Sequence, residues 1–199
     1  MKVIMLRNHK EMRSLIVKAA REVFALYGYR KTTLDDIAAS LYKAKSSIYY
    51  YFKSKEDVFK AVIENEVLRA NRVIKNAINQ ETIPEMKLRA YFKTIMKFIR
   101  ETISYYKLMQ EEMLEVLSFA DEMKEKHKKD AIQLIAGILK EGIETGDFAI
   151  ADIEGTAEAI IFAFDGLCNP FFEKDYDYRD IEKKFDNLVN LILNGIKIR

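Results

Sequence analysis

Between His9 and Tyr27 the apolar positions are Met12, Leu15, Ile16, Ala19, Ala20, Val23, Phe24 and Tyr27. Steps of three and four residues place them on one stripe of one helix. Gly28 supplies the stop, since it takes the left-handed conformation at no steric cost. After the Tyr29-Arg30-Lys31-Thr32 connector, Thr33 with Asp36 three residues later has the spacing of an N-cap and an acidic capping-box partner. Leu34, Ile37, Ala38 and Leu41 then predict a helix of about two turns, too short to stand alone. The next helix starts near Lys45, and Ser54 ahead of Lys55-Glu56-Asp57 caps a long fourth one running to about Asn79. Two short helices joined by a tight turn and packed on a first helix form a helix-turn-helix.

Breaks at Gln80 to Pro84, Ile103 to Tyr106, Phe119 to Asp121, Gly146 to Asp152 and Asn169 to Tyr178 divide the rest. Between them the pattern predicts helices at about 85–103, 106–118, 121–145, 152–169 and 179–197. The expected fold is all-α with about nine helices: a helix-turn-helix head at 1–54 and a helical body at 55–199. Composition agrees, because 2 Pro and 7 Gly in 199 residues leave few breaks for long helices.

No apolar stretch approaches the roughly 18 residues a membrane helix needs, and the start, MKVIMLRNHKEM, lacks the apolar block of a signal peptide. A cytoplasmic protein with no membrane partner is expected. The single cysteine, Cys168, reads as a small buried hydrophobe, and no Cys/His cluster has zinc spacing. No cofactor or metal is expected. Charge changes the picture. Residues 1–60 hold 13 Lys and Arg against 6 Asp and Glu, whereas the remainder holds 20 against 25. A basic head on an acidic body fits a polyanion at one end.

The candidate chemistry lies in KSSIYYYFKSKEDVF, Lys45 to Phe59. A helix turns about 100° per residue, so three consecutive tyrosines cannot share one core. If Ile48 and Phe52 mark the buried face, Tyr50 points about 180° away, with Tyr49 and Tyr51 on the flanks. Tyr49 and Tyr51 also read as packing residues when taken singly. A tyrosine hydroxyl can donate to a phosphate oxygen while its ring rests on sugar or a thymine methyl. With Lys45, Ser46, Ser47 and Lys55 nearby, the surface offers several donors, and the second helix of such a pair fits a major groove.

TTLDDIAASLYKAKSSIYYYFKSKEDVF, with the preceding AAREVFALYGYRKT, resembles the DNA-binding region of the TetR family of bacterial and archaeal transcriptional regulators over about residues 11–60. The resemblance implies a homodimer that binds a double-stranded DNA operator. It implies that Thr33, Tyr49 and Lys55 bind phosphates and that Lys45, Ser46, Ser47, Tyr50 and Tyr51 meet base edges or backbone. The turn departs from the family's pattern: Tyr42 and Lys43 stand where a glycine and an apolar residue are usual, and Ala44 stands where a serine often caps the recognition helix.

In the body, Gly155, Ala159, Ala163 and Gly166 put small residues along the helix at 152–169, beside Ile160, Phe164 and Leu167. The last helix has an apolar arc too wide for one neighbour. Two such helices from each chain could form a four-helix dimer interface, expected at Ala159, Ala163, Phe164, Gly166, Leu188 and Ile192, although intramolecular packing explains the same residues. Residues 86–119 are crowded with Met and aromatics that line adaptable pockets or fill cores. The resemblance implies a small effector here, and Phe92, Met96, Met109, Met113 and Asp165 are the candidate contacts for an apolar or amphipathic one. An enzyme is the competing class, but the chain has no phosphate-cradling glycine loop, no Glu-x-x-His pair, and its His9 and His127 are far apart on apparently solvated faces. A helical adaptor without operator reading is the third reading.

Overall fold

The computed structural model describes residues 2–106, 121–168 and 178–198, and these form eight helices. They are α1 (Lys2–Tyr27), α2 (Leu34–Ser40), α3 (Lys45–Tyr49), α4 (Lys55–Asn79), α5 (Pro84–Tyr105), α6 (Asp121–Glu144), α7 (Ile153–Cys168) and α8 (Tyr178–Ile196). The fold is all-α, as the periodicity requires. The helix expected at 106–118, with Met109, Met113 and Phe119, lies outside the described residues, as do Asn169 and Phe171. α1 starts at Lys2 rather than near His9. Its first residues contain neither Gly nor Pro, so nothing in them interrupts the helix.

The chain divides into two compact units. One holds residues 2–69 with 104–106 and Asp121, the other residues 70–103, 122–168 and 178–198. α4 therefore supplies residues to two cores, Val58, Phe59, Ala61 and Val62 to the first, and Ile74 and Ile78 to the second.

In the first unit Phe24, Tyr29 and Phe59 pack edge to face or tilted, with centroids 5.0 to 5.7 Å apart. Ile16, Ala20, Ile37 and Ile48 fill the space around them. Gly28, at φ 80, ends α1, and the Thr32 hydroxyl donates to its carbonyl at 2.6 Å from a fully buried position. The stripe of α1 is narrower than its spacing suggests: Leu15 and Tyr27 are exposed, while Val17 is buried.

The first unit also buries a charge. Glu66 of α4 is 5 % exposed. Its carboxylate accepts from the Arg21 Nε, from Arg69 Nη1 at 2.5 Å and from the Tyr106 hydroxyl at 3.0 Å. Arg21 also lies over the Tyr105 ring at 3.9 Å. Burial, with the Glu66 charge adding to it, pushes the Tyr106 hydroxyl well above the usual tyrosine range, so it stays a donor.

In the second unit Phe164 packs edge to face on Phe185 at 4.9 Å and is stacked with Phe92 at 5.9 Å. Leu88, Ile135, Leu139 and Leu193 complete the core. Phe148 seals one end: a Cβ at Gly142 would lie 2.0 Å from its ring, so the ring needs a glycine there. Backbone bonds from Ala149 to Ile196 and from Ile198 to Asp147 tie the connection after α6 to the end of α8. No described helix is long and apolar enough to cross a membrane.

Candidate nucleic-acid interface

The site is built on α2, the turn after it and α3. Thr33 takes an extended N-cap conformation and its hydroxyl accepts from the Asp36 N–H at 3.2 Å, while Asp36 accepts from the Thr33 N–H at 2.8 Å. This is the capping box that the sequence pattern required. The Thr33 hydroxyl holds the Asp36 carboxyl below the usual carboxylate range. Thr33 remains exposed at the surface.

α2 ends in a Schellman turn, with the Lys43 N–H on the Ala38 carbonyl at 2.9 Å and the Tyr42 N–H on the Ala39 carbonyl at 3.0 Å. This motif needs a left-handed residue, and Tyr42 supplies it at φ 54 with its side chain 98 % exposed. The unusual turn residues thus leave the turn's geometry intact. They do so at a conformational cost of about 1 kcal/mol. α3 then starts at Lys45 after Ala44, which has no side chain to cap it. Ala44→Ser is expected to raise stability by about 1 kcal/mol, read as a melting temperature higher by about 3 °C. An unchanged melting temperature would mean that the first turn is already satisfied without a cap.

α3 buries Ile48, and Phe52 just beyond it points inward too, at 1 % and 3 % exposure. The opposite side is open: Tyr50 is 70 % exposed and Tyr49 48 %, while Tyr51 and Ser47 are half-buried and Ser46 is exposed. The order of exposure among the tyrosines follows from the helical angle. Lys45 is exposed, and its ammonium donates to Asp35 at 2.6 Å, which raises its pKa above the ordinary lysine value. Lys55 behaves differently. Its ammonium lies 4.3 Å from the Tyr29 ring centroid and donates to the backbone carbonyls of Tyr29 at 2.8 Å and Arg30 at 3.3 Å. It therefore fastens the connector between α1 and α2, in addition to any other role.

Sequence reasoning missed three neighbours of this surface. Asp35 pairs with Lys45 ten positions away, a separation no helical rule marks. Tyr29 lies in the connector by sequence, yet it is buried and its hydroxyl donates to Glu56 at 3.1 Å. His9, placed by its spacing on a solvated face, instead packs against the rings of Tyr50 and Tyr51.

The remaining candidate residues that the structure describes lie in the second unit. Phe92 and Met96 are buried in its core at 2 % and 7 % exposure. Partial burial raises the pKa of Asp165, with Lys128 acting in the other direction. Met109 and Met113 lie outside the described residues. Of the expected interface residues, Ala159 and Gly166 are exposed and Ala163, Leu188 and Ile192 are half-buried, whereas Phe164 is turned into its own core at 4 % exposure. Phe162 and Leu191, which the small-residue pattern did not mark, are the large apolar groups on α7 and α8 that face outward among the described side chains, at 74 % and 72 %. Among the described residues, no group of three or more His, Cys, Asp or Glu is placed to hold a metal.

Two family profiles match the chain. The one described as bacterial regulatory proteins, tetR family, matches residues 16–62, and the tetracyclin repressor-like C-terminal domain matches residues 84–189. The fatty acid metabolism regulator protein of Bacillus subtilis is 25 % identical over 185 residues, covering 91 % of this chain and 93 % of that protein. The HTH-type transcriptional regulator QacR of Staphylococcus aureus is 24 % identical over 192 residues, covering 93 % and 98 %. The crystal structure of a transcriptional regulator from Cytophaga hutchinsonii superimposes with a TM-score of 0.79 at 28 % identity, covering 93 % of this chain and 98 % of that one.

Proposed function

Because the chain belongs to the TetR family of bacterial regulatory proteins, we propose that it is a homodimeric, ligand-responsive repressor that reads a palindromic operator with α3. The observation that carries this reading is the face of α3 that leaves Tyr50, Tyr49, Ser46 and Lys45 open while Ile48 anchors the helix. Two such helices about 34 to 36 Å apart would enter successive major grooves of one duplex. Thr33, Tyr49 and Lys55 are assigned to phosphates, which position the head. Lys45, Ser46, Ser47, Tyr50 and Tyr51 are assigned to base edges or the adjoining backbone, which select the sequence.

The second copy would pack on α7 and α8. Ala159, Phe162, Ala163 and Gly166 recur at helical spacing, as do Leu188, Leu191 and Ile192. A Cβ at Gly166 would meet no described atom within 4 Å outside its own stretch of helix, which leaves room for a closely approaching helix. The effector is assigned to the body as an apolar or amphipathic small molecule, with Phe92, Met96, Met109, Met113 and Asp165 as candidate contacts. The name of the Bacillus subtilis relative, a fatty acid metabolism regulator, fits such chemistry. The effector would favour a dimer state in which the two recognition helices no longer match the half-sites, and it weakens operator binding only by its preference for that state.

The test starts from a duplex selected out of a random library by the wild-type protein, with binding measured against salt. Tyr49→Phe and Lys55→Ala are each expected to weaken binding to all sequences, and Lys55→Ala to lower the salt slope by about 1. If Lys55→Ala lowers the melting temperature and leaves the slope unchanged, Lys55 serves only the connector carbonyls. Failure to select any sequence, or sedimentation as a monomer with and without DNA, would overturn the operator reading.

A further inference from the structure

α3 is only five residues long and its first turn is uncapped, so its outer side chains depend on neighbours for their orientation. Those neighbours come from one stripe of α1. His9, Met12, Arg13 and Ile16 follow each other at helical spacing, His9 and Arg13 against rings just after α3 and Met12 and Ile16 along a groove beside it. Ile16 and Met12 line a groove of about 230 Å³ together with Lys43, Ile48, Ser47, Tyr50 and Tyr51. Arg13 lies 4.7 Å from the centroid of Phe52. His9, half-buried, is the first residue of this stripe among those whose side chains are described.

The His9 ring meets Tyr51 at 4.7 Å, tilted by 46°, and Tyr50 at 5.7 Å, near edge to face at 64°. The two tyrosines meet each other at 4.9 Å and 82°. These separations and angles are those of favourable aromatic contacts. The groove beside them is the space into which a freed Tyr50 or Tyr51 ring would turn. Tyr50 is 70 % exposed, and the ring contacts it makes among the described residues are those with His9 and Tyr51.

We propose that His9 is a positioning residue for DNA sequence recognition: its imidazole holds Tyr50 and Tyr51 in the orientation in which they meet the operator, without touching the DNA itself. This rests on the assignment of Tyr50 to base reading. A His9 side chain set against aromatic rings adds no phosphate contact, so it acts on base preference and leaves the electrostatic part of binding alone. A planar ring of similar reach replaces it, and a methyl group does not.

The experiment uses the full chain and a library of duplexes with a random core, scored as the ratio of affinities for the selected consensus and a non-specific duplex. His9→Ala is expected to lower that ratio by about 2- to 10-fold, with the salt slope unchanged. His9→Phe is expected to restore it. Tyr50→Ala is expected to lower the ratio as well, and adding His9→Ala to it should cause no further loss. The inference is overturned if His9→Ala leaves the ratio intact while Tyr50→Ala lowers it. It is equally overturned if His9→Ala lowers the salt slope by about 1, which would make His9 a phosphate contact, or if His9→Phe behaves like His9→Ala. If Tyr50→Ala itself changes no preference, the reading of Tyr50 fails and this inference fails with it. Melting temperatures of the variants separate a loss of folded head from a loss of preference.

Discussion

Glu66→Ala destabilises the protein by about 3 kcal/mol, near the low end of what removing one partner of a buried ion pair costs. The reason is the company Glu66 keeps. Its carboxylate is the acceptor shared by Arg21 of α1, Arg69 of α4 and Tyr106 beyond the end of α5. Removing it leaves two guanidinium groups and a buried hydroxyl without their common acceptor. Arg69 is 46 % exposed on its side chain and can turn to water, which keeps the loss from being larger. Thermal melts should show a drop of about 6 to 12 °C. A drop under about 2 °C would mean that solvent already carries the charge. Tyr106 provides a second readout. Its folded pKa is raised above the ordinary value of 10.0, so the folded state binds that proton more tightly. The contribution is complete below about pH 10 and is lost as pH rises past it. Tyr106→Phe should remove that alkaline decline from the stability curve.

Lys45→Glu lowers operator affinity about 10- to 100-fold, the range expected when a lysine directed at a base edge is lost. It also lowers the salt slope. In the free protein this lysine is already engaged: Asp35 accepts from it at 2.6 Å, with both side chains more than half exposed. If Lys45 meets the duplex as proposed, docking exchanges that carboxylate for an acceptor on the DNA. The carboxylate then remains as a negative charge at the interface. Asp35→Asn should therefore move the other way, tightening binding several-fold at low salt with a steeper salt dependence. If Lys45→Glu binds as well as the wild type, Lys45 faces away from the duplex and the orientation assigned to α3 is wrong.

The local elements were legible because their signals are local. Thr33 and Asp36 are three residues apart and bond as that spacing requires. Ser54 caps α4 through the Asp57 N–H at 3.1 Å. Ile48 and Phe52, four apart, are buried, and Tyr50 between them is the most exposed of the three tyrosines of the run. What escaped was set by contacts across the chain. Glu66 stands in an ordinary amphipathic stretch of α4, and nothing near it announces that Arg21 and Tyr106 will close over it. Lys55 falls at a phosphate-binding position by resemblance, yet its distance to the Tyr29 carbonyl depends on how α1 and α4 pack. His9 looked solvated because its partners are rings of another helix. In the body, small residues on α7 marked a face, but the large groups that project from it, Phe162 and, on α8, Leu191, depend on which way each helix rolls against its core.

The brevity of α3 has a kinetic counterpart. With five residues, no side-chain cap and a first turn closed by the Ser47 N–H on the Ala44 carbonyl at 2.9 Å, its amide hydrogens should trade with deuterated solvent through small local openings, far faster than those of Ile16 or Phe24 in the middle of α1. If base contacts complete that first turn where the sequence matches, isotope uptake at 45–50 should fall on the selected duplex and not on a non-specific one, a label-free footprint of the correct sequence.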